Sequence, residues 1–374
     1  MQLAIIDFIK SHSNWEELLT QDPYNLTIKR DGKLILFKYS QIKSDFNEQI
    51  CREARGLIVE DGTWKVVRMA FTKFFNIGES YAAKIDWDSA IATEKIDGSI
   101  ISVFYYDGKW RIATNSTIDA FKTELPEASP YRSFGDLFES VLPLSTFENY
   151  HKRRCWTFEL VSPYNKIVIG YPKTKVYLLS VRNMDTLEEL DLDAVEMIAD
   201  ANGIATPQRY DLNNEADYRQ LVEQMPEGHE GVVVRDQYNE RVKIKTLLYF
   251  QLHKAKNNGV ITLDRIVDLI RANDHHEFLS YFPEYTDVFN YVKQQVDRTE
   301  GIKAKIAQDV AEWKLTNKDV YEQDARMARK WFAQDLGHGA YAVLYFAAYD
   351  GHLDETIAQM RTNQFINAFK IKED

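Results

Sequence analysis

Few cysteines and no long apolar run are the first features that limit what this 374-residue chain can be. Its two cysteines, Cys51 and Cys155, are too few for a cysteine-rich zinc site or a disulfide framework, which favours a reducing compartment. No apolar run approaches the roughly 18 residues that a membrane helix needs, and Asp7 and Lys10 interrupt the apolar N-terminal patch. We therefore expect a first helix at the N-terminus, no membrane partner, and a soluble protein of the cytoplasm, or of the host cytoplasm if the source is viral.

The chain also lacks positive charge, since 46 Lys and Arg face 57 Asp and Glu for a net charge of −11. This balance counts against a protein that coats nucleic acid non-specifically, because neutralising phosphates usually needs a basic surface. It does not exclude an enzyme with a small cationic pocket that recruits a divalent metal. The hydrophobic share of 45% and the aromatic share of 13% indicate a folded protein of two or three domains.

Proline is scarce in the C-terminal third, where only Pro283 follows position 230, and the residue patterns change with it. Before about residue 250, short β-type runs flank turn dipeptides, and Asp61-Gly62 and Asp107-Gly108 predict type I′ hairpins. After about residue 260, apolar residues recur at helical spacing, with Gly337-His338-Gly339 between two helices. We predict an α+β protein with an N-terminal domain (1–250) of antiparallel sheets and flanking helices, and an all-helical C-terminal domain (251–374). The predicted strands are 34–39, 56–60, 64–69, 100–106, 109–114, 155–161, 176–181, 231–235 and 241–246, and the clearest helices are 194–201, 302–313, 321–332 and 353–360.

Lys95 is the strongest candidate for chemistry, because it opens the sequence Lys95-Ile-Asp-Gly-Ser99. A lysine two residues before Asp-Gly is how covalent nucleotidyltransferases present the amine that accepts AMP or GMP. Gly98 would let the backbone approach a nucleotide. The alternative is a solvated lysine before a β-turn.

Two glutamates, Glu159 and Glu230, are further candidates for the functional site. Alternation along strand 155–161 places Glu159 among apolar residues, where a carboxylate needs a partner or a bound group. Glu230 stands at the entry of the apolar run 231–235. A structural ion pair for Glu159 and an ordinary strand-end charge for Glu230 are the alternatives.

A row of cations completes the candidate set. Alternation places Arg241, Lys243 and Lys245 on one face of a strand, where a phosphate would relieve their repulsion. An exposed edge strand protected by lysines is the alternative. Upstream, Arg55 and Lys73 offer further anion contacts, and Phe74 or Phe75 offers a stacking face.

In this order the segments resemble the covalent nucleotidyltransferase superfamily of ATP-dependent ligases and capping enzymes. One pair of segments, Phe-Glu-Leu-Val-Ser-Pro followed by Asn-Lys-Ile-Val, is a more specific motif than those of the superfamily. It resembles the RNA ligase 1 family of phage-type tRNA-repair ligases. The matching segments are Arg55-Gly56, Lys73-Phe-Phe-Asn76, Lys95-Ile-Asp-Gly-Ser99, Phe158-Glu-Leu-Val-Ser-Pro163, Asn165-Lys-Ile-Val168, Leu178-Leu-Ser-Val-Arg182, Glu230-Gly-Val-Val233 and Val242-Lys-Ile-Lys245.

The resemblance implies an enzyme that joins RNA ends in three steps. Lys95 would take AMP from ATP, the AMP would pass to an RNA 5′-phosphate, and a 3′-hydroxyl would displace it. Nicked tRNA would be the partner, and Mg²⁺ or Mn²⁺ the metal; we expect a monomer. The implied ATP contacts are Arg55, Lys73, Phe75, Gly98, Glu159, Lys243, Lys245 and Tyr249; Lys95, Glu230, Lys243 and Lys245 would be catalytic, and Glu230 and Glu159 would hold the metal.

Other interpretations remain at this stage. Asn115 stands where the resemblance leads us to expect a basic residue, which leaves the role of that position open. A DNA ligase, a capping-type enzyme or a non-catalytic RNA-binding repair adaptor could share the lysine motif. In the helical domain, Arg326, Arg329 and Lys330 share one helix face that either contacts structured RNA or is merely solvated. His275 and His276 are predicted to be a surface pair.

Overall fold

The computed structural model describes residues 3–41, 43–125, 129–226, 228–246, 261–281, 283–339 and 341–372. The chain divides into two compact units, Met1–Lys256 and Asn257–Asp374. The predicted α+β class is confirmed, with antiparallel sheets in the first unit and helices in the second. The domain boundary at residue 250 stays a prediction, because it lies outside the described residues.

The first unit contains three sheets across its described residues. Their orders are β1-β2-β3-β4, β10-β9-β7-β8 and β11-β6-β12-β13-β5, and every pairing is antiparallel except that of β13 with β5. The strands are β1 (Thr27–Asp31), β2 (Leu34–Lys38), β3 (Arg55–Glu60), β4 (Val66–Arg68), β5 (Phe75–Asn76), β6 (Ile91–Glu94), β7 (Ser99–Tyr106), β8 (Lys109–Thr114), β9 (Arg154–Val161), β10 (Lys175–Asn183), β11 (Arg209–Tyr210), β12 (Gly231–Arg235) and β13 (Arg241–Lys245).

Two hairpins illustrate why these residues form these sheets. Between β7 and β8, Asp107 and Gly108 have φ of 51° and 78°, as a type I′ turn requires, so this prediction is confirmed. Between β3 and β4 the positive φ values fall on Gly62 and Trp64, and the connection is longer than a two-residue turn. The register shift within the β3–β4 pair accompanies this longer loop.

Helices cover the sheets of the first unit. The N-terminal helix, predicted from its apolar face, is present and buries Ile5, Ile6 and Ile9 in the core of the first sheet. The second sheet packs its own core with α4 and α5, and the third with α6. The helices are α1 (Ala4–Ser11), α2 (Trp15–Thr20), α3 (Gln49–Glu53), α4 (Phe134–Glu139), α5 (Leu192–Ala201) and α6 (Glu215–Glu223), with 3₁₀ turns at Ala120–Lys122 and Leu144–Phe147.

The described part of the second unit is helical throughout. Its helices are α7 (Leu263–Arg271), α8 (His275–Tyr281), α9 (Thr286–Thr316), α10 (Lys318–Gln323), α11 (Ala325–Asp335), α12 (Ala342–Tyr349), α13 (Leu353–Gln359) and α14 (Thr362–Phe369), with a 3₁₀ turn at Pro283–Tyr285. Within the ranges described above, no helix is long and apolar enough to cross a membrane.

Two details of this unit differ from the sequence prediction. The helix predicted over 321–332 is broken at Asp324, whose carboxylate accepts hydrogen bonds from the backbone N–H groups of Arg326 and Met327 and so starts α11. His275 is buried rather than exposed, and its ring lies against that of His276. The predicted break at Gly337-His338-Gly339 between α11 and α12 is confirmed.

Candidate active site

A cavity of about 540 Å³ lies in the first unit, and all three sheets contribute to its wall. Arg55 comes from the start of β3, Glu159 from β9, and Lys243 and Lys245 from β13. Lys95 enters directly after β6. The structure therefore brings together residues that are 190 positions apart in the sequence, and places most of the predicted cations around one space.

Lys95 is held by a carboxylate behind the cavity wall. Its Nζ donates to Oε2 of Glu230 at 2.6 Å, while Nζ of Lys245 lies 3.3 Å from the other oxygen. Glu230 is only 2% exposed, whereas the Lys95 side chain is 23% exposed. One buried carboxylate thus fixes two ammonium groups at the edge of the cavity.

The turn that presents Lys95 is clamped by the segment after β9. The Asp97 carboxylate accepts hydrogen bonds from the backbone N–H groups of Val168 and Ile169 at 2.8 and 2.7 Å. Asn165 donates to the Ser99 hydroxyl at 2.9 Å. The Asn165–Val168 segment, which carried the resemblance to one family, therefore forms hydrogen bonds to the turn that contains the lysine motif.

Gly98 allows β9 to pass close to this turn. A Cβ at Gly98 would lie 2.5 Å from the carbonyl oxygen of Leu160 and 3.1 Å from Cγ of Glu159. Only a residue without a side chain fits there, and the close approach brings Glu159 beside the Lys95 turn.

Glu159 is the carboxylate in the cavity wall. Burial raises the pKa of its carboxyl group to about 8; the nearby charge of Glu230 adds to this effect, and Lys95 and Arg55 oppose it. A cation placed beside this carboxyl group would offset both its burial and the repulsion from Glu230.

The predicted alternation of β13 is confirmed in space, since Arg241, Lys243 and Lys245 all line the cavity. Arg241 has a strong local partner, the buried carboxylate of Glu189, which also contacts Arg182 and Arg235. Burial alone would raise the pKa of Glu189, but the three guanidinium groups outweigh it and lower that pKa to about 2. This ion-pair cluster around Glu189 was not predicted from the sequence.

The aromatic neighbours of the cavity differ from those predicted by the resemblance. Phe74 lines the wall and lies 5.0 Å from the Arg55 guanidinium. Phe75 instead packs into the core of the first sheet against Phe46 and Tyr81.

Lys73 also lies elsewhere. Its Nζ is 4.5 Å from the ring centre of Phe46 and 4.7 Å from that of Tyr39, and it donates to Gln41. Among the residues that the structure describes, neither Lys73 nor Phe75 forms part of the cavity wall. Tyr249, predicted to contact ATP, lies outside the described residues.

Behind Arg55, a buried arginine that sequence analysis missed organises one corner of the cavity. Arg68 is fully buried and donates to Asn115 Oδ1 at 3.0 Å, to Ser102 Oγ at 2.8 Å and to the backbone oxygen of Gly56. Burial is the main cause that lowers its pKa, to about 10. An arginine directly after two valines in a predicted strand was the available signal.

Glu159 and Glu230 alone are too few ligands to hold a divalent metal, but together with a substrate phosphate they fit one. Nowhere in the described ranges do three Asp, Glu, His or Cys residues group into a cation site. Mg²⁺ is commonly held by one or two carboxylates plus substrate phosphates, so Glu159, with Glu230 behind it, is a suitable protein contribution.

A lysine at a strand end, two buried glutamates and a row of cations beside a nucleotide-sized cavity fit the site expected of a covalent nucleotidyltransferase. The sequence model of the RNA ligase family matches residues 53–258, more than half of the chain. The chain therefore belongs to the RNA ligase family. This membership confirms the predicted resemblance and favours an RNA ligase over a DNA ligase or a capping-type enzyme.

Individual relatives are distant. The chain is 26% identical to an RNA ligase of Rhodothermus phage RM378, over 86% of each chain. It is also 26% identical to a protein of Autographa californica nuclear polyhedrosis virus named as a bifunctional polynucleotide kinase/RNA ligase, over 74% of this chain and 41% of that one. This chain thus spans less than half of that relative's length. An archaeal ATP-dependent RNA ligase structure matches with 15% identity and a TM-score of 0.46, over 70% of this chain and 67% of that one.

Proposed function

We propose that this chain is an ATP-dependent RNA ligase that joins an RNA 5′-phosphate to a 3′-hydroxyl through a lysyl-AMP intermediate. The observation that carries the proposal is the position of Lys95, whose Nζ is held 2.6 Å from Glu230 at the edge of a cavity lined by cations. Membership of the RNA ligase family supports the same reaction class.

In the first step, the Lys95 ammonium gives up one proton to solvent to become an amine; Nζ then bonds to the α-phosphorus of ATP as the bond to pyrophosphate breaks, and the second proton leaves Nζ for the departing pyrophosphate or solvent. Lys243 and Lys245 lie on β13, which is separated from β6 by β12, and they line the same cavity as Lys95. They would neutralise charge on the α-phosphate as it reacts. Arg55 would hold phosphate oxygens, and Phe74 offers the aromatic face in the wall. A divalent metal would neutralise the departing pyrophosphate.

Forming the phosphoramidate removes the charge of Lys95 and with it the ion pair to Glu230. Oε2 of Glu230 is then freed, while Oε1 keeps its contact with Lys245. Glu230 would thereby become able to reach a metal only after the first step, while Glu159 is available from the start. In the second and third steps, AMP passes to the RNA 5′-phosphate, and the 3′-hydroxyl displaces AMP to form the new phosphodiester.

The test is covalent labelling with ATP carrying ³²P at the α-phosphate. We expect a labelled protein that is stable to denaturation, released by pyrophosphate, and absent in Lys95→Ala; the exposed Lys109→Ala is the matched control and should label normally. Failure of the native protein to label would favour the non-catalytic adaptor. Sealing of nicked RNA but not of nicked DNA by the labelled enzyme would complete the assignment.

Nicked tRNA as the natural RNA and a monomeric active form stay predictions. Comparing a tRNA nicked in its anticodon loop with a nicked duplex and an unstructured strand tests the first. Sedimentation of the protein with and without RNA tests the second.

A further inference from the structure

We propose that Asn115 binds substrate, donating a hydrogen bond from Nδ2 to a phosphate oxygen in the cavity, and that Arg68 is the positioning residue that orients it. This inference rests on the proposed function, which supplies the phosphate. It assigns a role to the position where a basic residue was expected and none is present.

The orientation of the Asn115 amide follows from the chemistry of its neighbour. A guanidinium can only donate hydrogen bonds, so the atom 3.0 Å from Arg68 Nη2 must be the amide oxygen, Oδ1. The NH₂ end of the same amide is left for another partner. Asn115 lines the cavity, and no residue in the described ranges accepts a hydrogen bond from Nδ2.

Arg68 makes this corner attractive to an anion. The oxygens that its guanidinium contacts are neutral: two backbone carbonyls, the Ser102 hydroxyl and the Asn115 amide. No ion pair between Arg68 and a carboxylate occurs in the described part of the chain. Because Arg68 is fully buried, it cannot touch a ligand, and its charge acts through the polarised Asn115 amide.

A second donor belongs to another residue of the same cavity wall, Arg55. Nη1 of Arg55 is buried and without a hydrogen-bond partner among the described residues. The two positions adjoin through Gly56, where a Cβ would lie 2.8 Å from the Asn115 backbone oxygen and 2.5 Å from Arg68 Nη1. Two donors beside a buried positive charge fit a phosphate oxygen better than a base or a ribose hydroxyl, which would not use the charge.

Asn115→Asp tests the inference, because it is isosteric and should keep the contact with Arg68 as an ion pair. It replaces the donor with a charged acceptor facing the cavity. We expect the KM for ATP in adduct formation to rise tenfold or more without a fall in Tm, and Asn115→Ala to raise it severalfold. Asn149→Asp, the same change on an exposed loop, should have no effect.

Arg68→Lys tests positioning, since it keeps the charge but loses the two-pronged donor. The double variant Arg68→Lys, Asn115→Ala should bind ATP no worse than Asn115→Ala alone, whereas a purely structural role for Arg68 would give additive losses.

Separate binding and sealing measurements identify which phosphate Asn115 contacts. With Lys95→Ala as background, weaker binding of both AMP and ATP in the Asn115→Asp variant indicates the α-phosphate, and weaker binding of ATP alone indicates the β or γ phosphate. A defect confined to sealing of pre-adenylated RNA indicates the RNA end. Unchanged values in every arm would overturn the inference. If the native chain forms no adduct, the proposed function fails, while the nucleotide-binding arms still decide the role of Asn115.

Discussion

The carboxyl group of Glu159 couples stability to pH. Burial raises its pKa from 4.5 to about 8 in the folded protein, so the folded state binds the extra proton between these values. Stability from this group is present below pH 4.5 and is lost as pH rises toward 8, at up to about 1.4 kcal/mol per pH unit. Glu159→Gln cannot ionise, so we expect its Tm to exceed that of the native chain at pH 9 and to match it near pH 5.

Thermal unfolding at four pH values between 5 and 9 checks this prediction. Glu322→Gln is the control, because the Glu322 side chain is 61% exposed and should give parallel curves. Parallel curves for Glu159→Gln would mean that Glu159 ionises normally in the folded protein. The same variant should lose most adduct formation if its carboxylate takes part in metal binding.

Gly98 sets the distance between the Lys95 turn and β9. In Gly98→Ala the new methyl would meet the Leu160 carbonyl oxygen at 2.5 Å, so the turn must move. We expect adduct formation to fall by about 100-fold or more, since small misplacement of a reacting group is costly. Gly301→Ala, in the open interior of α9, should keep full activity and add about 0.5–1 kcal/mol of stability.

Among single residues, Lys95, Glu159 and Glu230 could be predicted to lie together because each belongs to a contiguous motif. Phe75 was predicted to contact ATP, whereas Phe74 lines the cavity and Phe75 packs into the core, because the motif does not say which of two adjacent phenylalanines faces the cavity. Arg68 could not be assigned, because its partners Gly56, Ser102 and Asn115 come from three separate strands or strand ends. Such a contact exists only once the sheets are packed.

At the level of elements, Glu189 joins β10, β12 and β13 behind the cavity. Its side chain is 2% exposed, and it contacts Arg182 of β10, Arg235 of β12 and Arg241 of β13. Replacing one buried carboxylate shared by three guanidiniums leaves their repulsion uncompensated. We therefore expect Glu189→Gln to cost about 3–5 kcal/mol of unfolding free energy in urea titrations at pH 7.

The lowered pKa of Glu189 gives this prediction a second test. Its stabilising contribution is present above pH 4.5 and is lost as pH falls toward 2, so the native chain and Glu189→Gln should converge in acid. The neighbouring Glu188→Gln is the control, because Glu188 is exposed. A Glu189→Gln variant as stable as the control at pH 7 would contradict the stabilising role of the ion-pair cluster around Glu189.

Elements were predictable where the pattern is local. Period-2 alternation gave β13, and Asp107-Gly108 gave the turn between β7 and β8. The break of the helix predicted over 321–332 was missed because the apolar spacing continues through it, while the Asp324 cap stops it. The strand order of the third sheet places β12 between β6 and β13, so that Lys95 and Lys245 reach the two carboxylate oxygens of Glu230. This order depends on crossovers that periodicity does not encode.

On the scale of the whole molecule, a net charge of −11 must coexist with the proposed binding of RNA. Local cationic surfaces can reconcile the two, and the face of α11 with Arg326 and Lys330 is one candidate. Arg329, predicted as its third member, is instead paired with Asp350 and lies over Phe346. The face therefore offers two cations, both exposed, beside the partly exposed Trp331.

Reversing these two charges tests whether the helical unit contacts structured RNA. We expect Arg326→Glu with Lys330→Glu to raise the KM for nicked tRNA severalfold at 0.1 M salt and to reduce the slope of log K against log salt by up to about two, the number of phosphate contacts removed. Lys305→Glu with Lys318→Glu makes the same charge change at exposed positions of the same unit and should change neither quantity. Sealing of a short unstructured strand should also stay unchanged, because only the cavity of the first unit need engage its ends. Equal losses for both RNAs in the first variant would point to a general charge effect and against a tRNA-binding face.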